Sequence, residues 1–458
     1  MTVREILPPK PASRPDKVSW WRYIQLFRKD IFSSQPARLY HAWMAEFHTP
    51  FFRSFLVNQP DLIKLVLAQR PADFPKSELI RESLESLLGN SVFVTNGEVW
   101  KRQRRIIDPA FEGGRLRDVF PAMVAAGEAA IARLDTMADG NPVEMEEEAS
   151  HMAADVIFRT LFSMPISTGI AAQVFDQFRA YQRTQPLLNL ASFIRLPRWM
   201  PKFRQPATVK TARVIRKLLT ELTAARMAEI TAGTAPDDLA TKIMTTADPL
   251  TGQKFDTQEM VDQVAIFFLA GHETSASAIA WTLYLLALDP TTQERLASEV
   301  TAAFAQGPPE FKQLSKLSFT RDVFRESLRL YPPVPMMIRT ATRPESFRDR
   351  AVKVGDQIIV SPWHLHRHDR LWDRPDIFDP TRWKTENGKA CQREAFIPFS
   401  SGPRVCTGAG FAMVEGPLLL AMLLRQFRFD LVDGKTPVPV AHLTVRSADG
   451  IYLRITRR

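Results

Sequence analysis

The chain has 458 residues, 45% of them hydrophobic and 24% charged, proportions that support a sizeable core and exclude wholesale disorder. An excess of 60 basic over 50 acidic residues leaves a formal charge of +10, which favours acidic partners or anionic surfaces. No helix-turn-helix, zinc-finger or RNA-binding pattern accompanies that charge, so nucleic acid is not an expected partner. Two cysteines, Cys391 and Cys406, cannot build a disulfide framework and suit a reducing compartment. The opening residues lack the apolar core of a signal peptide, and no run of about 20 uncharged apolar residues follows. The expectation is a cytoplasmic chain without a transmembrane anchor.

Residues 1–35 form a proline-rich, aromatic extension, and the segment from Trp20 to Lys29 could touch a membrane surface or pack on its own domain. Phe51 to Asn58 reads as a strand, and Pro60 opens a helix that runs to Gln69. Pro71 to Asn90 has weak periodicity and reads as a mobile connection. A turn at Thr95-Asn96-Gly97-Glu98 leads into Val99 to Ile107, basic on one side and apolar on the other. Helical spacing covers Leu116 to Leu134, Glu144 to Leu161 and Thr208 to Ile230. Between the last two, Pro186 to Pro206 reads as a loop with short helical pieces. Thr231 to Asp256, with two glycines and two prolines, is the most linker-like interior stretch. A long helix follows from an N-cap at Asp256 or Thr257 to Asp289-Pro290. Two more cover Thr291 to Gln306 and Leu317 to Leu330. Met337 to Thr342, Ala351 to Ile359 and Gly450 to Ile455 read as short strands. The fold class is mainly α with small β-sheets (α+β).

Four constellations carry chemistry. The stretch Phe399 to Gly408 holds Cys406 between glycines, two residues after Arg404 and before an apolar run from Phe411 to Leu424. A helix N-terminus and a nearby cation lower a thiol's pKa, so metal ligation, nucleophilic attack and an inert loop cysteine are all open there. Phe399 could shield the sulfur, and Gly402 and Gly408 permit close backbone approach. Cys391, in a polar stretch read as a loop, is expected to be an unimportant thiol. Second, Ala270-Gly271-His272-Glu273-Thr274-Ser275 sits in mid-helix, where glycine costs about 1 kcal/mol against alanine. An acid beside an alcohol there could pass protons into an apolar pocket. Third, Glu326 and Arg329 share a helical face flanked by apolar residues, with Arg382 a candidate partner. Fourth, Trp100 and Arg104 lie one turn apart and could jointly hold a carboxylate.

Together these resemble one family, the haem-thiolate monooxygenases of the cytochrome P-450 superfamily, from about Pro36 to the C-terminus as a single domain, 36–458. The motifs occur in the family's order: Trp-x-x-x-Arg, Ala-Gly-x-Glu-Thr-Ser, Glu-x-x-Arg, Phe-x-Pro-x-Arg and Phe-x-x-Gly-x-Arg-x-Cys-x-Gly. Trp383 stands where the fourth motif more often ends in phenylalanine.

The resemblance implies a soluble, bacterial-type member with haem b between the long central helix and the cysteine loop and its helix. Cys406 would be its thiolate ligand and metal-binding residue. Arg404, Trp100, Arg104 and Arg339 would hold the propionates, and Glu326, Arg329 and Arg382 would form a scaffold behind the haem. Glu273 and Thr274 would deliver protons to O2 on the distal side, where Ala270 and Gly271 leave room. No flavin or Fe-S domain fits in the remaining length. Electrons would therefore come from a separate acidic ferredoxin or flavodoxin, docking near Lys101, Arg102, Arg105, Arg393 and Arg404, with the chain acting as a monomer. A small lipophilic substrate (fatty acid, terpenoid or steroid-like) would contact Ser77 to Phe93, Gln185 to Ile194, Phe267, Ala270, Val334 to Ile338 and His442 to Thr444. The rival readings are a haem-thiolate peroxygenase or isomerase and a non-catalytic haem ligand binder. The retained Glu273–Thr274 pair argues against both.

Overall fold

A computed structural model describes residues 5–48, 53–184, 206–305 and 307–458. Its axis is the helix Thr257–Leu288, opened by a reciprocal cap: Asp256 Oδ1 accepts from the Glu259 N–H at 2.7 Å, and Glu259 Oε2 accepts from the Asp256 N–H at 3.1 Å. Most residues of this helix are buried, because a helix apolar on most of its surface must be covered on most sides. Met145–Phe162, Pro206–Ala232, Ser318–Leu330 and Ala409–Gln426 surround it. It stops at Asp289, whose carboxylate then caps the next helix, Pro290–Ala303. The glycine in mid-helix does not interrupt it. Added at Gly271, a Cβ would lie 2.4 Å from the Ile157 side chain, so this glycine lets two buried helices approach closely.

The largest sheet runs Met44–His48, Arg53–Val57, Gln357–Val360, Met337–Thr340, with the central pair parallel and the outer pairs antiparallel. The single strand expected over Ala351 to Ile359 is two: Arg350–Val352 pairs with Glu345–Phe347, and a turn through Gly355 (φ +90°) separates it from Gln357–Val360. A three-stranded sheet joins Pro142–Glu144, Tyr452–Arg457 and Phe427–Leu431, and a short ribbon pairs Pro439–Ala441 with Val445–Ser447.

Three readings need correction. The connection expected over Pro71 to Asn90 contains the helix Glu78–Leu88, capped by Ser77 and closed at Gly89 (φ +50°). At that corner the Asn90 N–H donates to Asp262 at 2.7 Å, tying the segment to the central helix. The linker-like stretch 231–256 contains the helix Leu239–Thr245, capped by Asp238 through the Thr241 N–H at 3.0 Å. Cys391 lies not in a loop but in the helix Glu386–Glu394, 5% exposed, its thiol donating to the Leu371 carbonyl at 3.1 Å. The readings for Pro186 to Pro206 and Gln185 to Ile194 fall, apart from Pro206 itself, outside the described residues.

The N-terminal extension runs over the body of the molecule. The Phe378 N–H donates to Ile6 O at 3.0 Å and the Tyr331 hydroxyl to Pro9 O at 2.8 Å. In the helix Trp20–Lys29, Tyr23, Ile24 and Phe27 line the main cavity while Trp21 is 80% exposed. Among the described residues no helix is long and apolar enough to cross a membrane.

Candidate active site

The cysteine loop is a tight hairpin. The Cys406 N–H donates to Phe399 O at 2.9 Å and the Val405 N–H to Gly402 O at 3.0 Å. Gly402 has φ +70°, and a Cβ there would stand 2.1 Å from the Leu67 carbonyl oxygen. Its role is close approach to the neighbouring Leu65–Gln69 turn; unlike the other proposed residues of this loop, it does not line the cavity. Cys406 lies just before the helix Ala409–Gln426. Burial pushes its thiol up, against the Gly408 N–H and the charges of Arg104 and Lys76. The sulfur is nevertheless accessible, because it faces a cavity inside the protein. A thiol held this way becomes a thiolate when a metal ion supplies the missing charge.

That cavity has a volume of about 1100 Å³ and a mainly apolar wall. Cys406, Phe399, Arg404, Gly408, Trp100, Arg104, Arg339, Ala270, Gly271, Glu273 and Thr274 all line it. So do parts of every described segment expected to meet substrate, including Ile80, Phe93, Phe267, Met337 and Leu443.

Sequence reasoning missed Lys76, which also faces the cavity. Its ammonium donates to Phe93 O at 2.6 Å and sits 3.6 Å from the Phe93 ring centre. Burial, then the repulsion of Arg339 and Arg404, holds its pKa well below the usual lysine range. Arg404 donates to Thr95 O (3.1 Å) and Asn96 Oδ1 (2.8 Å), lies 4.2 Å from the Trp100 ring centre, and leaves Nη1 buried without a partner. Arg339 is 4% exposed and donates to a backbone carbonyl; burial lowers its pKa to about 10. Among the described residues, only Arg104 of these four cations pairs with a carboxylate, Asp108 at 2.8 Å. Clustered buried cations are costly unless anions join them. A cofactor carrying two carboxylates fits this end of the cavity, as a thiolate-bound metal fits the other donor.

On the central helix, the Thr274 hydroxyl bonds back to Ala270 O. Glu273, 6% exposed, accepts from Thr444 Oγ1 at 2.6 Å and from Arg446 on the 439–447 ribbon. Burial would raise its pKa, but Arg446 and Thr444 outweigh burial and leave it lowered, so Glu273 is ionised at neutral pH. At the next residue after Thr274, Ser275 donates to Glu415 at 2.6 Å. Glu415 is 1% exposed, has a second carboxyl oxygen without a partner, and is pushed up to about 8 by burial. Neither Arg446 nor Glu415 carried a motif that marked it.

Outside the cavity wall, Glu326 takes bidentate bonds from Arg329 (2.9 and 2.8 Å) and a third from Arg382 (2.8 Å). Both guanidiniums complete their bonding on carbonyls of 366–377. The basic residues expected to meet an electron donor are largely neutralised: Lys101 pairs with Glu98 (2.7 Å), Arg102 with Glu259 (2.6 Å) and Arg105 with Asp248 (2.6 Å). Arg404 faces the cavity, and Arg393 is exposed.

Comparison with known proteins agrees with this geometry. The family model described as Cytochrome P450 matches residues 19–454. Protein LUTEIN DEFICIENT 5, chloroplastic, of Arabidopsis thaliana is 29% identical over 95% of this chain and 76% of its own length. Cyclooctat-9-en-7-ol 5-monooxygenase of Streptomyces melanosporofaciens is 31% identical over 91% of this chain and 87% of its own. A cytokinin hydroxylase of Arabidopsis thaliana is 30% identical over 87% and 77%. With an accessible buried thiol, a wall of cations and a full-length family match in one molecule, the chain belongs to the cytochrome P450 family of haem-iron, O2-using oxidoreductases.

Proposed function

We propose that this protein is a monooxygenase that binds haem b through Cys406 and inserts one oxygen atom into a lipophilic substrate. The observation that carries this reading is the sharing of one cavity by Cys406, the under-compensated cations and the Glu273–Thr274 pair. When bound, the haem would supply oxygen activation, with two electrons and two protons consumed for each oxygen atom inserted.

The remaining chemistry belongs to the chain. Lys76, Arg339 and Arg404, with Trp100 and Arg104, would hold the haem's acidic groups, which would supply the negative charge those side chains lack. Glu273 takes protons from water and Thr274 passes them into the cavity, each hydroxyl proton being replaced from the carboxyl behind it. Ala270 presents only a methyl group and Gly271 no side chain at that wall. The apolar wall expels water and selects a fatty acid, terpenoid or steroid-like compound; the names of the Streptomyces and plant relatives, a monooxygenase and a hydroxylase, support the reaction class.

Electrons come from a separate protein. A ferredoxin or flavodoxin of acidic surface suits the net charge of +10, without a flavin or Fe-S centre in this chain. Two free cysteines suit a reducing, cytoplasmic compartment.

Reduction under carbon monoxide tests the ligand. Cys406→Ala abolishes the red-shifted Soret band and Cys391→Ala keeps it; survival of the band in Cys406→Ala overturns the assignment. Product formed with a reductase system, and not with peroxide alone, separates the monooxygenase from the peroxygenase, isomerase and ligand-binder readings.

A further inference from the structure

The ribbon that holds Glu273 also forms part of the substrate wall. Its strands Pro439–Ala441 and Val445–Ser447 meet at a tip, His442-Leu443-Thr444, that lines the same cavity as Ala270 and Thr274. Thr444 and Arg446, two residues apart, both bind the Glu273 carboxylate. The ribbon is secured at its second strand, where Ser277 Oγ donates to Val445 O at 2.6 Å, the Val445 N–H donates to Pro333 O at 2.9 Å and the Ser447 N–H donates to Glu146 at 2.8 Å. Three paired residues per strand give little stability of their own; the first strand is held by the Ile31 N–H on Ala441 O at 3.1 Å, so a molecule pressing on the tip between these anchors bears on the side-chain bonds to Glu273. Arg446 is 32% exposed while Glu273 is 6% exposed, so the guanidinium can move into the cavity and the carboxylate needs a new partner when it does.

We propose that Arg446 is a positioning residue for the proton relay: it holds Glu273 on the ribbon, and a lipophilic occupant pressing on the tip releases Glu273 toward Thr274. This rests on the monooxygenase reading above. Once released, the carboxylate takes one proton from water and gives it to the Thr274 hydroxyl oxygen as that hydroxyl passes its own proton into the cavity. The carboxylate is regenerated, and no electron moves in this step. The other titratable groups around the pair are Tyr181 on Gly169–Thr184, His272 on the central helix, His442 at the tip and Glu146 on Met145–Phe162. Burial keeps both histidines below their usual range. Burial also lifts Glu146 to about 7, against the Ser447 N–H.

The test is infrared difference spectroscopy of the haem-loaded protein across pH, with E273Q assigning the carboxylic acid band of Glu273. In substrate-free R446Q the band should appear about 1 to 3 pH units higher than in wild type, and R446K should restore most of the difference. The occupying probe is whichever of lauric acid, geranylgeraniol and progesterone shifts the Soret band most. It should move the wild-type band in the same direction and leave that of R446Q unchanged. Consumption of reducing equivalents without probe should rise about tenfold in R446Q, the scale of one charge-assisted hydrogen bond. A purely structural arginine would lower thermal stability and leave band and consumption at wild-type values; that result overturns the proposal. Failure of the haem reading is separate, because it shows in the carbon-monoxide spectrum of Cys406→Ala whatever Arg446 does.

Discussion

Two buried charge clusters in this molecule look alike in composition and differ in balance. Around Glu326, a carboxylate and two guanidiniums, all at most 3% exposed, leave no guanidinium without a carboxylate or carbonyl to bind. Around the cavity, Lys76, Arg104, Arg339 and Arg404 converge with one carboxylate between them, and Arg404 leaves a buried nitrogen unmatched. The first cluster is complete as folded and serves as scaffold. The second is complete only with an anionic guest. Charge balance, more than burial, separates structure from site in this fold.

Breaking the balanced cluster should have the largest effect. Glu326→Ala strands two guanidiniums in a dry interior and is expected to cost about 5 kcal/mol, the upper end for a broken buried pair. Denaturant titration checks it; a loss below about 1 kcal/mol would mean that the network behaves like a surface pair. Glu415 tests the opposite imbalance, an acid without a cation. Its carboxyl rises from 4.5 to about 8, so between those values the folded state binds the extra proton and stability falls as pH rises. The full span is on the order of 5 kcal/mol. Glu415→Gln should flatten the stability profile between pH 5 and 9, and an unchanged slope would refute the assignment.

The cation cluster should respond differently. Lys76→Met relieves repulsion with Arg339 and Arg404 and removes a side chain proposed to hold the haem. Haem loss to apomyoglobin should accelerate about tenfold or more while thermal stability without haem holds or improves. Equal loss of both would place Lys76 in the scaffold.

What the sequence disclosed follows from how local each feature is. The cysteine loop and the Glu273–Thr274 helix are contiguous motifs, and both line the cavity. Lys76 has no motif of its own; the carbonyl of Phe93 and the charges of Arg339 and Arg404 come to it only through the fold. The helix Glu78–Leu88 does carry helical spacing, with Leu84, Leu87 and Leu88 buried together; Pro71 and Pro75 before it and Gly89 after it make the whole stretch read as a connection. Gly402 was legible as a special position but not in its purpose, since its neighbour is Leu67, more than 300 residues away in sequence. Cys391, polar by context, is buried because the turn of chain at Leu371 accepts its thiol.

The smallest effect concerns the surface, where the same question of balance recurs in weaker form. Arg102 is tied to both oxygens of Glu259 and to Lys254 O, so little of its charge is free to attract a donor protein, whereas Arg393 is exposed. Rim charges act mainly on association rate and salt dependence. With an acidic ferredoxin at low salt, Arg393→Ala should slow first-electron reduction a few-fold, and Arg102→Ala should slow it less. Stopped-flow rates measured across salt concentration distinguish the two variants. A larger effect from Arg102→Ala would mean that its pair with Glu259 opens when the donor docks, and that the acidic side chain there helps to choose the partner.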